Sequence, residues 1–158
     1  MDVINIDIPG FGKLKLMFLV SDFTGTLSTD GRLLAGIKDR LNRLADKLEI
    51  HVLTADTFGT ATNALKGVRC SVHILKGRNL DVQKQKFVKK LGPEKTVAIG
   101  NGNNDRKMVR SARLGIIVIG DEGAASQALI SADVVVKSPL DALDILLAQK
   151  RCKATLRY

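Results

Sequence analysis

The chain has 158 residues, 45% of them hydrophobic and 26% charged, with a net charge of +9. That size suits one domain with its own core, and the balance excludes a disordered or collagen-like chain. No apolar run is long enough to cross a bilayer, and Met1 to Asn5 offers no basic segment leading into an apolar one, so neither a membrane span nor a signal peptide is expected and the expected compartment is cytoplasmic.

Val3 to Ile8 alternates apolar and polar residues, Pro9 to Gly12 reads as a turn, and Leu14 and Leu16 alternate with Lys13 and Lys15 before the chain becomes wholly apolar up to Val20. This predicts a hairpin whose second strand continues into the central strand, its first strand forming an antiparallel edge. The apolar run ends at Asp22, followed by Phe23-Thr24-Gly25-Thr26-Leu27. From Leu34, the positions Ile37, Leu41, Leu44 and Leu48 fall at helical steps. Ile50 to Leu53 reads as a buried strand ending in Thr54-Ala55-Asp56, with a helix over Thr57 to Leu65 that Asp56 would cap. Ser71 to Leu75 is a further strand. Asn79 to Leu91 is a helix in which Lys84 shares the apolar face of Leu80, Phe87 and Leu91, an unusual place for a lysine without a partner.

Lys95 to Ile99 reads as a strand entering the loop Gly100-Asn101-Gly102-Asn103-Asn104-Asp105, with Asn103 expected to cap the helix that follows. Strands over Ile116 to Ile119 and Val134 to Val136 flank a short helix over Gly123 to Leu129, and Ser138-Pro139 opens a last helix carrying Leu143 and Leu147. Residues 1–149 are thus expected to form one α/β domain, with 150–158 a basic tail, either frayed or docked on a neighbour. Strands alternating with helices predict a mostly parallel sheet with helices on both faces. His51 and His73 fall within strands and read as structural; Cys70 and Cys152 read as free thiols.

In such a sheet, ligands bind at the carboxyl ends of the strands, where Asp22, Thr54 and Asn101 all fall. A carboxylate approaching a phosphoryl group meets like charge, about 4 kcal/mol per unit pair at 4 Å and an effective dielectric near 20. The site must therefore supply cations and hydrogen-bond donors. Asp22 followed by Phe23-Thr24-Gly25-Thr26-Leu27, Leu53-Thr54-Ala55-Asp56, Lys84, and Gly100-Asn101-Gly102-Asn103-Asn104-Asp105 come in the order of the haloacid dehalogenase (HAD) superfamily of phosphohydrolases. Within it, the sequence most resembles the phosphorylation domain of P-type ATPases. The resemblance runs from about Leu16 to Leu147 and implies a three-layer Rossmann-like sandwich without a cap domain. It also implies a Mg²⁺-dependent phosphatase acting through an aspartyl-phosphate on Asp22. Asp22, the backbone oxygen of Thr24, Asn101 and Asp105 would hold the metal. Thr54 and Lys84 would assist catalysis, and Phe23, Thr24, Thr54, Ala55 and Lys84 would bind phosphate.

Two residues depart from the superfamily pattern. Thr24 stands where ordinary members carry a second aspartate that protonates the leaving group, so slow turnover is expected; P-type ATPases also have threonine there. Asn101 replaces an acidic metal ligand, which implies weaker Mg²⁺ binding. The alternative reading is a HAD-fold protein that binds a phospho-ligand or partner without meaningful turnover. The expected partner is a phosphorylated substrate, small or macromolecular, and the missing cap makes a homo-oligomer possible. Net positive charge alone would suit nucleic acid, but no nucleic-acid-binding motif is present and aromatic residues are few, so nucleic acid is not favoured.

Overall fold

A computed structural model describes residues 2–158. The chain runs β1 (Ile4–Ile8), β2 (Gly12–Leu16), β3 (Phe18–Asp22), β4 (Ser28–Thr29), β5 (Arg32–Leu33), α1 (Ile37–Leu44) and β6 (Glu49–Thr54). It continues through α2 (Thr60–Ala64), β7 (Ser71–Ile74), α3 (Leu80–Leu91), β8 (Thr96–Gly100), α4 (Arg106–Ser111), β9 (Leu114–Val118), α5 (Ser126–Ser131), β10 (Val134–Val136), α6 (Pro139–Leu147) and α7 (Gln149–Leu156). Six strands form one sheet in the order β10-β9-β8-β3-β6-β7. Every pairing in it is parallel.

From β3 the chain builds outward through β6 and β7, then returns to the other side of β3 and builds through β8, β9 and β10. The reversal of strand order lies between β3 and β8. Their carboxyl ends diverge there and leave the crevice in which open α/β sheets bind ligands. Asp22 is the last residue of β3, and Asn101 follows the last residue of β8.

Alternation along β3 divides the core. Leu19 packs with Ile50, Val52, Val97, Ile116 and the inner faces of α1 and α6 on one side of the sheet. Val20 packs with Leu53, Ala98, Ile117, Val88 and Met108 on the other, beneath α3, α4 and α5. Removing the side chain of a fully buried leucine such as Leu41 would cost about 2–5 kcal/mol. Gly115 lets α4 lie close to the sheet: a Cβ there would sit 2.4 Å from the carbonyl oxygen of Val109.

The expected elements all occur, with three corrections. The hairpin β1–β2 is a separate two-stranded sheet and not an edge of the main one. The hairpin ladder ends at Leu16, and Met17 already bonds the main sheet's neighbours, its N–H donating to Lys95 O at 2.8 Å and its carbonyl accepting from the Glu49 N–H at 2.9 Å. The alternating faces of Ile4, Ile6, Ile8, Leu14 and Leu16 are buried against the α1/α6 side of the core. The helix expected from Leu34 is confined to Ile37–Leu44, although Leu48 still closes a turn, its N–H donating to Leu44 O at 2.8 Å. The basic segment from residue 150, expected to fray or to dock on a neighbour, is helix α7. It packs against β1, buries Cys152, and ends with the Tyr158 N–H donating to Pro9 O at 3.1 Å. Between β3 and β6 the chain holds only the small β4–β5 ribbon and α1, and between β7 and β8 little besides α3. No helix is long and apolar enough to cross a membrane among the described residues.

Candidate active site

The carboxyl end of β3 delivers Asp22, 8% exposed, onto the floor of a cavity of about 340 Å³. Its walls are Thr24, Thr54, Ala55, Asp56, Lys84, Asn101 and Asn104. Four segments expected from the sequence to meet therefore do meet. Helix α3 places Lys84 and Val88 on one buried face, and the lysine reaches past the sheet edge to two carboxylates. Lys84 Nζ donates to Asp22 Oδ1 at 3.0 Å and to Asp105 Oδ1 at 2.8 Å. Lys84 is 2% exposed and Asp105 fully buried.

The charges do not balance: two carboxylates face one ammonium. Burial, and then the neighbouring Asp105, push the Asp22 carboxyl up to about 7 against the opposing pull of Lys84. Burial pulls the Lys84 ammonium down, but Asp22 and Asp105 together outweigh it and raise it above the ordinary lysine value.

Hydrogen bonding agrees. The Thr26 hydroxyl lies 3.2 Å from Asp22 Oδ2 and 3.1 Å from Asn101 Oδ1. It has one proton for two acceptors. If Asp22 is protonated, its proton goes to Thr26 Oγ1 and the Thr26 proton to Asn101, and every group is satisfied. If Asp22 is ionised, one acceptor goes short. Asn101 is held from its other end by donation from Nδ2 to Gly123 O at 3.2 Å.

The loop after β8 corrects one expectation. Asn103 does not cap α4. Asp105 Oδ2 instead accepts the N–H groups of Asn101 and Gly102, each at 3.0 Å, and folds the loop around itself. Asp105 lies just behind the cavity wall. Both its oxygens are committed, one to Lys84 and one to the two amides, so it stands behind Lys84 as a buried anchor. Phe23 likewise turns its side chain into the core, leaving only its main chain for an anion.

On the opposite wall, Thr54 Oγ1 accepts the Asp56 N–H at 3.1 Å, so its hydroxyl proton remains to be donated into the cavity. Asp56 caps the turn into α2, accepting from Phe58 N at 2.9 Å and Thr60 N at 2.9 Å. His51 and His73 pair with each other, Nδ1 to Nε2 at 3.0 Å, next to Phe87 and outside the cavity walls. Sequence reading missed Thr26, which bridges Asp22 and Asn101. It also missed Asn104, whose Oδ1 lies 3.5 Å from Lys84 Nζ. Thr26 had a signal in its place four residues after the acid; Asn104 stood inside the quoted Gly100 to Asp105 motif, but its contact with Lys84 followed from no period, because side-chain direction in an irregular loop has none.

Among the described residues no three His, Cys, Asp or Glu side chains converge to make a ready cation cage. The cavity-lining residues that carry hard oxygen atoms include Asp22, Asn101 and Thr24, with Asp105 adding charge from behind. Mg²⁺ is commonly held by one or two carboxylates, with water and substrate phosphate completing its shell. A cavity with excess negative charge and hard donors fits such an ion.

No known protein-family profile matches the chain. It is 56% identical over 71 residues to "Uncharacterized protein MJ0073" of Methanocaldococcus jannaschii, across 44% of this chain and 76% of that protein. In fold it is similar to the 3-deoxy-D-manno-octulosonate 8-phosphate phosphatase of Moraxella catarrhalis, solved in complex with magnesium ion, phosphate ion and KDO (TM-score 0.70, 18% identity, 88% of this chain and 90% of that one). It is also similar to a phosphoserine phosphatase in apo form (TM-score 0.64, 16% identity, 84% and 98%). The fold is the HAD-like Rossmann-type sandwich.

Proposed function

We propose that this chain, which belongs to one family with the M. jannaschii protein MJ0073 and has the HAD-like fold, is a phosphohydrolase that works through an aspartyl-phosphate on Asp22. The observation that carries the reading is the convergence of Asp22, Lys84 and Thr54 on one cavity at the switch point of the sheet. An Asp22 oxygen attacks phosphorus, and the bond from phosphorus to the leaving oxygen breaks. Water then attacks the phosphoryl group, releasing phosphate and restoring the carboxylate. Thr54 donates its free hydroxyl proton to a phosphoryl oxygen, and Lys84 neutralises charge on the acid and on the incoming group. Thr26 and Asp105 hold Asp22, Asn101 and Lys84 in place.

A Mg²⁺ ion held by Asp22, Asn101 and the Thr24 main-chain oxygen would supply the second positive charge the site lacks, favouring ionised Asp22 and screening its approach to phosphate. The neutral Asn101 weakens that hold. Thr24 provides no carboxylic acid for the leaving group, the feature shared with P-type ATPases, so turnover is slow. The substrate is a phosphomonoester.

Hydrolysis of p-nitrophenyl phosphate with Mg²⁺ tests the reading. The wild type is expected to turn over slowly, Asp22→Asn not at all, and acid-quenched wild type to retain labelled phosphate on the protein. Equal rates in the two proteins would refute Asp22 as nucleophile and favour a fold kept for binding alone.

A further inference from the structure

A second and larger cavity, of about 600 Å³, lies beside the first. Asn104 lines both, and it is also the residue that Lys84 approaches from the catalytic side. The second cavity is open to solvent, and its lining includes Asn103, Asn104 and Gln127 together with two exposed arginines, Arg78 before α3 and Arg106 at the start of α4. Among the described residues neither guanidinium takes part in an ion pair or donates a side-chain hydrogen bond. The one acid in the wall, Asp81, is already held by Lys107 at 2.8 Å. Two guanidiniums without an ion-pair partner, lining an open pocket that shares one residue with the proposed phosphoryl site, are a place for a second negative charge.

We infer that this pocket is the leaving-group subsite, and that the substrate is a small phosphomonoester carrying a second anionic group, a carboxylate or another phosphate, received by Arg78 and Arg106. The inference rests on the phosphohydrolase reading and narrows it. The combined space suits a ligand of metabolite size, and a large partner presenting a single phosphate would leave both arginines unused.

The test uses the full chain and two sets of probes. Glycerol 3-phosphate, 3-phosphoglycerate and glycerol 1,3-bisphosphate share three carbons and differ in the second anion; fructose 6-phosphate and fructose 1,6-bisphosphate form a longer pair. Binding to Asp22→Asn is read by calorimetry and hydrolysis by the wild type as kcat/KM. In at least one set, the second anion is expected to tighten binding and raise kcat/KM by about tenfold or more, since each charged hydrogen bond contributes roughly that factor. The carboxylate and phosphate arms show which anion is preferred. In Arg78→Gln/Arg106→Gln the ratio between the two kinds of probe should fall towards one. A ratio near one in the parent protein, or a preference that survives in the double variant, overturns the subsite. The binding arm stands apart from catalysis: preference in binding with no dependence of hydrolysis on Asp22 would keep the subsite and remove the nucleophile. A phosphopeptide that outcompetes every small probe would also overturn it, in favour of a macromolecular substrate.

Discussion

At residue scale, the site's character comes from what stands two positions after Asp22, the proposed nucleophile. Thr24 is exposed at the cavity wall and carries no titratable group. An acid placed there would lie next to the leaving oxygen, where protonation typically contributes 10²–10⁴-fold, by order of magnitude. Thr24→Asp is therefore expected to raise steady-state hydrolysis of p-nitrophenyl phosphate by about two orders of magnitude or more, chiefly by speeding breakdown of the phosphoenzyme. Pulse-chase of labelled enzyme checks this: a half-life unchanged by the substitution would show that position 24 is not where proton transfer limits the rate. The same change adds a third carboxylate beside Asp22 and Asp105, so the variant should also depend more steeply on Mg²⁺.

At the scale of elements, strand β8 ends in a glycine because Asp105 occupies the space its side chain would take. A Cβ on Gly100 would lie 2.4 Å from Asp105 Cβ and 2.5 Å from its Cγ. Gly100→Ala must push Asp105 away from Lys84 and from the amides of Asn101 and Gly102. The expected cost is about 1–3 kcal/mol of stability, a Tm lowered by several degrees, together with a loss of hydrolysis larger than the unfolded fraction explains. Full activity in a folded alanine variant would show that the Lys84–Asp105 contact is dispensable. That glycine was visible in the sequence only as part of a motif, whereas its reason, a side chain arriving from five residues later, is a tertiary fact. The strands and the inward lysine were legible because they follow periods: apolar runs for buried strands, and steps of four and three for α3. The separate hairpin was not legible, since alternation fixes which side chains are buried and not which sheet a strand joins. The short α1 was also misjudged, because Leu48 keeps the apolar spacing through a turn that is no longer helix. Helix α7 was hidden by its charge: one buried residue, Cys152, anchors an otherwise polar segment.

At the scale of the whole molecule, the site works against the fold that holds it. Asp22 has an ordinary unfolded value of 3.8 and a folded value of about 7, so the folded chain binds its proton more tightly. The penalty for ionised Asp22 is absent below about pH 4, grows between the two values and is complete above about pH 7. Lys84 acts in the opposite sense: its raised value adds stability that is present below the unfolded value of 10.5 and lost as pH rises beyond it. Asp22→Asn keeps the Lys84–Asp105 pair and can complete the chain of hydrogen bonds, its amide donating to Thr26 and Thr26 to Asn101. The variant should therefore melt higher than wild type at pH 8 in EDTA, by several degrees, a few kcal/mol being the ceiling that such a shift allows. The advantage should shrink as pH falls through 7 and vanish near 4. Mg²⁺ should raise the wild-type Tm more than that of the variant, because a ligand stabilises only the form it binds. Thermal melts at pH 4 and pH 8, with and without the ion, resolve all three effects. A variant that melts lower than wild type at pH 8 would mean that Asp22 is comfortably ionised in the folded chain, and that Lys84 alone balances the two acids.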